Sequence, residues 1–114
     1  MTIDSVRSED IPVCIELIRT VFERYVGCGY SRQGNATFYS FVTEEALLER
    51  FERGNLMLCA REDGRIVGFQ EIRDTSHICL FFVAPEYHSR GIGRALFEHS
   101  LSEIRKEHPE VREI

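Results

Sequence analysis

Ile11, Cys14, Ile18, Val21 and Tyr25 recur at intervals of three and four residues, which lays one apolar stripe along a helix. Ser8 stands ahead of it as an N-cap, Glu9 and Asp10 put acidic groups in the first turn, and Pro12 falls where a first turn accepts proline. Thr2 to Val6 alternates and reads as a short strand before that helix. Three glycines between Gly27 and Gly34, with Ser31, Arg32 and Gln33 among them, end the helix and predict a loop. This loop carries Tyr30, Phe38, Tyr39 and Phe41, which read as packing groups or as the lining of a substrate pocket. Thr43 then caps a second helix, Glu44 to Arg53, with Leu47, Leu48 and Phe51 on one face and Gly54 as its stop.

Leu56 to Arg61 and Ile66 to Arg73 are strands joined by Asp63-Gly64, a two-residue hairpin signal. Asp74-Thr75 turns the chain into a third strand, His77 to Val83, which Ala84-Pro85-Glu86 breaks. A helix follows from about Gly91 to Glu107, with Leu96, Phe97, Leu101 and Ile104 on its inner side and Pro109 beyond its end. Val111 to Ile114 reads as the start of one more strand. The predicted order is β-α-α-β-β-β-α-β, a mixed α/β (α+β) fold with a mainly antiparallel sheet flanked by helices.

Length and charge narrow the reading. A chain of 114 residues suits a single domain spanning 1–114. A net charge of −5 without a basic stripe argues against a nucleic-acid binder and mildly favours a cationic partner. No apolar run approaches the roughly 18 residues that a membrane helix needs, and Met1-Thr2-Ile3-Asp4 lacks the layout of a signal peptide. A cytoplasmic address is expected. Cys14, Cys28, Cys59 and Cys79 lie far apart, with no Cys-x-x-Cys pair and no histidine at ligand spacing, so they read as reduced packing cysteines and no metal is expected.

The chemistry concentrates in Leu80-Phe81-Phe82-Val83-Ala84-Pro85-Glu86-Tyr87-His88-Ser89-Arg90-Gly91-Ile92-Gly93-Arg94-Ala95-Leu96. It places a glycine-bearing loop between a strand and a helix N-terminus. First-turn N–H groups have no intrahelical partner, and the helix dipole adds partial positive charge there. Gly91 and Gly93 let the main chain approach a phosphate, and Arg90 and Arg94 add charge-assisted donors. A dinucleotide fingerprint fails because Leu96 occupies its third glycine position. A phosphate loop fails because no Gly-Lys-Ser/Thr triplet is present.

The stretch resembles the acetyl-CoA-binding motif of the GNAT superfamily of N-acetyltransferases: an apolar-Val-x-Pro strand end, then Gln/Arg-x-x-Gly-x-Gly/Ala opening a helix. Val83-Ala84-Pro85-Glu86-Tyr87 matches the first part and Arg90-Gly91-Ile92-Gly93-Arg94-Ala95-Leu96 the second. His88 replaces the usual Gln or Arg, and Ser89 stands where Gly or Arg is common. The first strand, the two helices and the hairpin from Leu58 to Phe69 follow the family order, so the likeness covers nearly the whole chain.

The resemblance implies acetyl-CoA as cosubstrate, with main-chain groups of Phe81, Phe82 and Val83 along the pantetheine arm and Ser89, Arg90, Gly91, Ile92, Gly93 and Arg94 around the pyrophosphate. It implies acetyl transfer to the amine of a small molecule or peptide by direct attack in a ternary complex; the alternative is an acyl-CoA-binding or regulatory module without turnover. The amine must be neutral to attack, and lysine-type amines are protonated near neutral pH, so a base or relay is expected. Glu71 and His77, on adjoining strands leading to the motif, are the candidates. In many family members a tyrosine beyond the next strand protonates the thiolate, and no tyrosine follows Tyr87. The elements after the strand at Val111 are expected to be missing, and a homodimer completing the sheet is the corresponding expectation.

Overall fold

The structure is a computed structural model that describes residues 1–25, 29, 31–88 and 90–112. Four antiparallel strands, β1 (Thr2–Ser5), β2 (Leu56–Glu62), β3 (Arg65–Arg73) and β4 (His77–Val83), form a sheet in the order β1-β2-β3-β4. Helices α1 (Ile11–Tyr25), α2 (Arg32–Phe41) and α3 (Glu44–Arg53) precede β2, and α4 (Ile92–Glu107) follows β4. The result is the mixed α+β fold that the sequence predicts.

Alternation along the strands sends side chains to two cores, one on each face of the sheet. Met57, Cys59, Phe69 and Leu80 pack with Ile11, Cys14, Ile18 and Leu47 on the side of α1 and α3. Leu58, Ala60 and Val67 pack with Ile92 and Leu96 of α4 on the other. The Asp63-Gly64 turn has positive φ at both residues (51° and 79°), as a tight hairpin requires. Gly68 lies under α4: a Cβ there would meet Leu96 Cδ1 at 3.1 Å and Ile92 Cγ2 at 3.2 Å. The first turn of α4 sits as close to the sheet as it does because β3 offers no side chain at this point.

Four differences from the sequence reading have identifiable causes. First, α1 is preceded by a 3-10 turn at Ser8–Asp10, in which the Asp10 carboxylate accepts from the Arg7 N–H at 2.9 Å; Ser8 is not the cap. Second, part of the expected loop is a helix. Ser31 accepts from the Gly34 N–H at 3.0 Å to open α2, whose glycine, asparagine and threonine conceal it from a propensity reading. Tertiary contacts hold it: Phe38 stacks on Phe22 with ring centroids 3.7 Å apart, and Arg19 donates to the Val42 carbonyl just past the end of α2 at 2.9 Å. Third, Leu48 and Phe97 are more than one-third exposed, while Arg50 and Ser100 take inward positions on α3 and α4. Fourth, Val111 and Arg112 are not in a strand. Their carbonyls accept from the Arg105 guanidinium at 2.6 and 3.2 Å, and residues 113–114 lie outside the described residues, as do Tyr30 and the side chain of Tyr25.

The tight seat of α4 gives a direct test. Gly68→Ala should lower stability by roughly 1–3 kcal/mol through overpacking, read as a shift of the denaturant midpoint at unchanged slope.

Candidate functional site

β4 has a strand neighbour on one side only, among the described residues. Its last sheet bond runs from the Ala84 N–H to the Val67 carbonyl at 2.8 Å, with Val83 opposite Gly68 and Phe82 opposite Phe69. In an antiparallel ladder, main-chain groups alternate between partner and outside. That bond therefore turns the N–H and C=O of Phe82 toward β3, and those of Phe81 and Val83 toward the open edge. The side chains divide the other way. Phe82 meets Phe38 of α2, and Phe81 meets Phe97 of α4.

Beyond Val83 the chain makes a 3-10 turn, Pro85–Tyr87, closed by the Tyr87 N–H on the Ala84 carbonyl at 2.9 Å. The His88 ring nitrogen Nε2 lies 2.8 Å from the Val83 carbonyl, tying the loop back to the strand end. This bond occupies one of the outward-facing groups of the edge. Gly91 has φ +77°, a conformation that side-chain-bearing residues rarely adopt, and it caps α4. The first helical bond of α4 is Ala95 N–H to the Gly91 carbonyl at 2.9 Å. The N–H groups of Ile92, Gly93 and Arg94 are thus left without intrahelical partners.

These pieces enclose a cavity of about 330 Å³ lined by Phe81, Val83, Tyr87, His88, Gly91 and Gly93. A Cβ on Gly93 would stand 3.4 Å from the Phe81 ring, so a side chain there would project over the floor of the cavity. Arg90 places its guanidinium 5.1 Å from the centre of the Tyr87 ring. Arg94 pairs with Glu98 at 3.1 Å, and both side chains are largely exposed. Bare amides, the helix dipole and two arginines suit an anionic group. Of the residues singled out in the sequence, Phe81, Val83, Gly91, Ile92 and Gly93 line this cavity, and Arg90 reaches it through the Tyr87 ring. Arg94 is exposed on the first turn of α4 with its side chain on Glu98, Phe82 faces away through both its main chain and its ring, and Ser89 lies outside the described residues.

Glu71 and His77 are not brought together. Glu71 is fully buried on the α3 side of the sheet, where Arg50 binds it in a bidentate manner (Nε–Oε2 2.7 Å, Nη2–Oε1 3.1 Å) and the Asn55 amide donates at 2.8 Å. This makes Glu71 a bound structural carboxylate rather than a free proton acceptor. Arg50 also donates to the Phe41 carbonyl at 2.9 Å, so one guanidinium joins α3, the end of α2 and β3. His77 begins β4 opposite Arg73 and is exposed. Between them β4 bulges: Leu80 faces Glu71 and Ile78 faces Ile72, which leaves Cys79 without a register partner. Burial, then the nearby Glu71 charge, pushes the Cys79 thiol up from its ordinary value. Arg50 and His88 carry contacts that sequence reasoning assigned to neither; a cation three residues after Leu47, on the same face of the helix, was the only written sign of the first.

The acetyltransferase (GNAT) domain family matches residues 28–114. Among solved structures, the PaiA N-acetyltransferase from Thermoplasma acidophilum in complex with coenzyme A is similar at 23% identity and a TM-score of 0.78, covering 94% of this chain and 74% of that one. A GCN5-related N-acetyltransferase from Rhodopseudomonas palustris gives 23% and 0.78, covering 92% and 66%. A GNAT family acetyltransferase from Brucella melitensis in complex with acetyl-CoA gives 19% and 0.69, covering 94% and 70%. No curated protein sequence matches the chain.

The buried pair makes a sharp mutational contrast. Arg50→Ala should cost about 3–5 kcal/mol by stranding the Glu71 charge, whereas Arg50→Met with Glu71→Leu should cost less than that single change. Equilibrium unfolding of the two variants measures both.

Proposed function

The chain belongs to the GNAT acetyltransferase family, and on that premise we propose that it binds acetyl-coenzyme A where α4 begins and transfers the acetyl group to a primary amine. One observation carries the reading: three helix amides without intrahelical partners stand at the end of a strand whose outer edge, among the described residues, has no strand neighbour. The amides of Ile92, Gly93 and Arg94 would donate to the pyrophosphate, with Gly91 and Gly93 keeping the approach clear. Arg90 and Arg94 would add charge-assisted bonds, Arg94 by leaving its exposed partner Glu98. The outward groups of Phe81 and the outward N–H of Val83 would pair with the pantetheine amides as an added strand would, the Val83 carbonyl being held by His88, while Phe82 keeps its main-chain bonds to β3.

Transfer proceeds in a ternary complex by attack of the neutral amine on the thioester carbonyl. The C–N bond forms, the C–S bond breaks, and the proton lost by nitrogen ends on the leaving thiolate. An outward N–H of β4 is suited to stabilise the carbonyl oxygen as it gains charge. For proton removal, His77 has access to solvent, whereas Glu71 would first have to release Arg50 and Asn55. That pairing of Glu71 favours a second reading, coenzyme binding without turnover. Acetyl-CoA consumption with a panel of amines separates the two.

Gly93→Leu fills the cavity without touching the cores. It should weaken coenzyme A binding at least ~10-fold in calorimetric titration, which is about 1.4 kcal/mol, with little change in the unfolding midpoint. Unchanged affinity in a folded variant would contradict the placement of the pyrophosphate.

A further inference from the structure

At the opposite end of β4 from that cavity, the structure holds a second one that neither the motif nor the fold accounts for. It has a volume of about 240 Å³, lies beside the bulge, and is lined by Phe41, Glu49, Arg50, Arg53, Arg73 and Cys79. Three arginines face one glutamate there, in a chain whose net charge is −5. Each arginine has a carboxylate partner, Glu71, Glu49 or Asp74, so the charges balance, and what marks the cavity is how loosely two of these pairs are held. Arg50 is held by Glu71, but Arg53 and Arg73 are only lightly held. Arg53 pairs with Glu49 at 2.7 Å and Arg73 with Asp74 at 3.3 Å, and all four side chains are half exposed or more. Exposed pairs of this kind are screened and readily exchanged. Both guanidiniums are free to turn toward an anion that offers two oxygens at once, the geometry that arginine recognises best.

We propose that this cavity receives the acidic group of the acetyl acceptor, so that the acceptor is a primary amine carrying a carboxylate or a phosphate. The proposal rests on the acetyl-transfer reading. From Val83 back to Cys79 is four residues, or ~13 Å of strand. An arm docked along β4 with its pyrophosphate at α4 thus runs toward the bulge, and the thioester end of the coenzyme approaches the arginine-lined cavity. An acceptor anchored there by its anion presents its nitrogen between the two. Phe41, 37% exposed, gives the cavity an apolar wall and carries the Arg50 guanidinium 3.8 Å from its ring centre. The charge preference is the reverse of the cationic partner that the net charge of −5 favours: Glu71 is buried and paired, and Asp74 is exposed beside Arg73.

Two measurements test this, one of them independent of the coenzyme. In NMR spectra of the arginine Nε–H groups of the coenzyme-free chain, β-alanine or O-phosphoethanolamine should shift the Arg53 and Arg73 signals saturably, and 1,4-diaminobutane should not. The probe that saturates first identifies the acidic group as carboxylate or phosphate. In acetyl-transfer assays, Arg73→Gln and Arg53→Gln should each raise KM for that probe about tenfold, the loss of a charge-assisted bond, and leave KM for acetyl-CoA unchanged. Arginine signals that ignore both acidic amines, or a chain that acetylates the diamine in preference with KM insensitive to Arg73→Gln, would overturn the proposal. Failure of coenzyme A to bind, with the arginine shifts intact, would instead remove the acetyl-transfer reading and leave the anion cavity standing.

Discussion

Three main-chain N–H groups at the start of α4 have no partner within the helix, and the rest of the candidate site is arranged around them. Such groups are costly to bury and cheap to offer to an anion, so the fold must keep them open while holding the helix firmly. It does so from beneath. Gly68 lets Ile92 and Leu96 settle onto β3, and His88 anchors the loop to the end of β4. Gly91 then takes the left-handed conformation that turns the chain into the helix. The opening is a product of tight packing around it.

The same economy governs the other face of the sheet. Helix α2 is too short and too poor in helix formers to persist alone, and ten residues is below the length at which isolated helices hold in water. Two arginines supply what it lacks: Arg19 from α1 and Arg50 from α3 donate to carbonyls at its C-terminal end, and the stacked ring of Phe22 holds Phe38. Through Phe38 and Phe82 this helix touches β4. The edge strand is therefore braced by α2 on one face and by α4 through Phe81 and Phe97 on the other, and its outer edge has no strand neighbour among the described residues.

Much of this was legible in the sequence because it depends on local signals. The period of α1, the Asp63-Gly64 turn, the Thr43 cap, and the glycine pair before α4 each announce themselves within a few residues. The Thr43 hydroxyl accepts from the Ala46 N–H at 3.0 Å, as its position predicts. What escaped depends on partners distant in the chain. Nothing near Arg50 says that it will be buried against Glu71, 21 residues on, and nothing within residues 32–41 says that Phe22 will stack on them. Glu71 looked like an available base for the same reason: its alternating position shows which face it takes, but not that a cation from α3 occupies that face. The register of β4 was equally invisible, and it alone decides that Phe81 and Val83, rather than Phe82, turn their main chain outward.

The central claim concerns a handful of identified amides, and these can be watched directly. In amide-resolved NMR spectra recorded as coenzyme A is added, the account predicts the largest changes at Gly91 to Arg94 and at Phe81 and Val83, with Phe82 moving less than either neighbour. Changes centred elsewhere on the chain, or none at millimolar coenzyme, would contradict it.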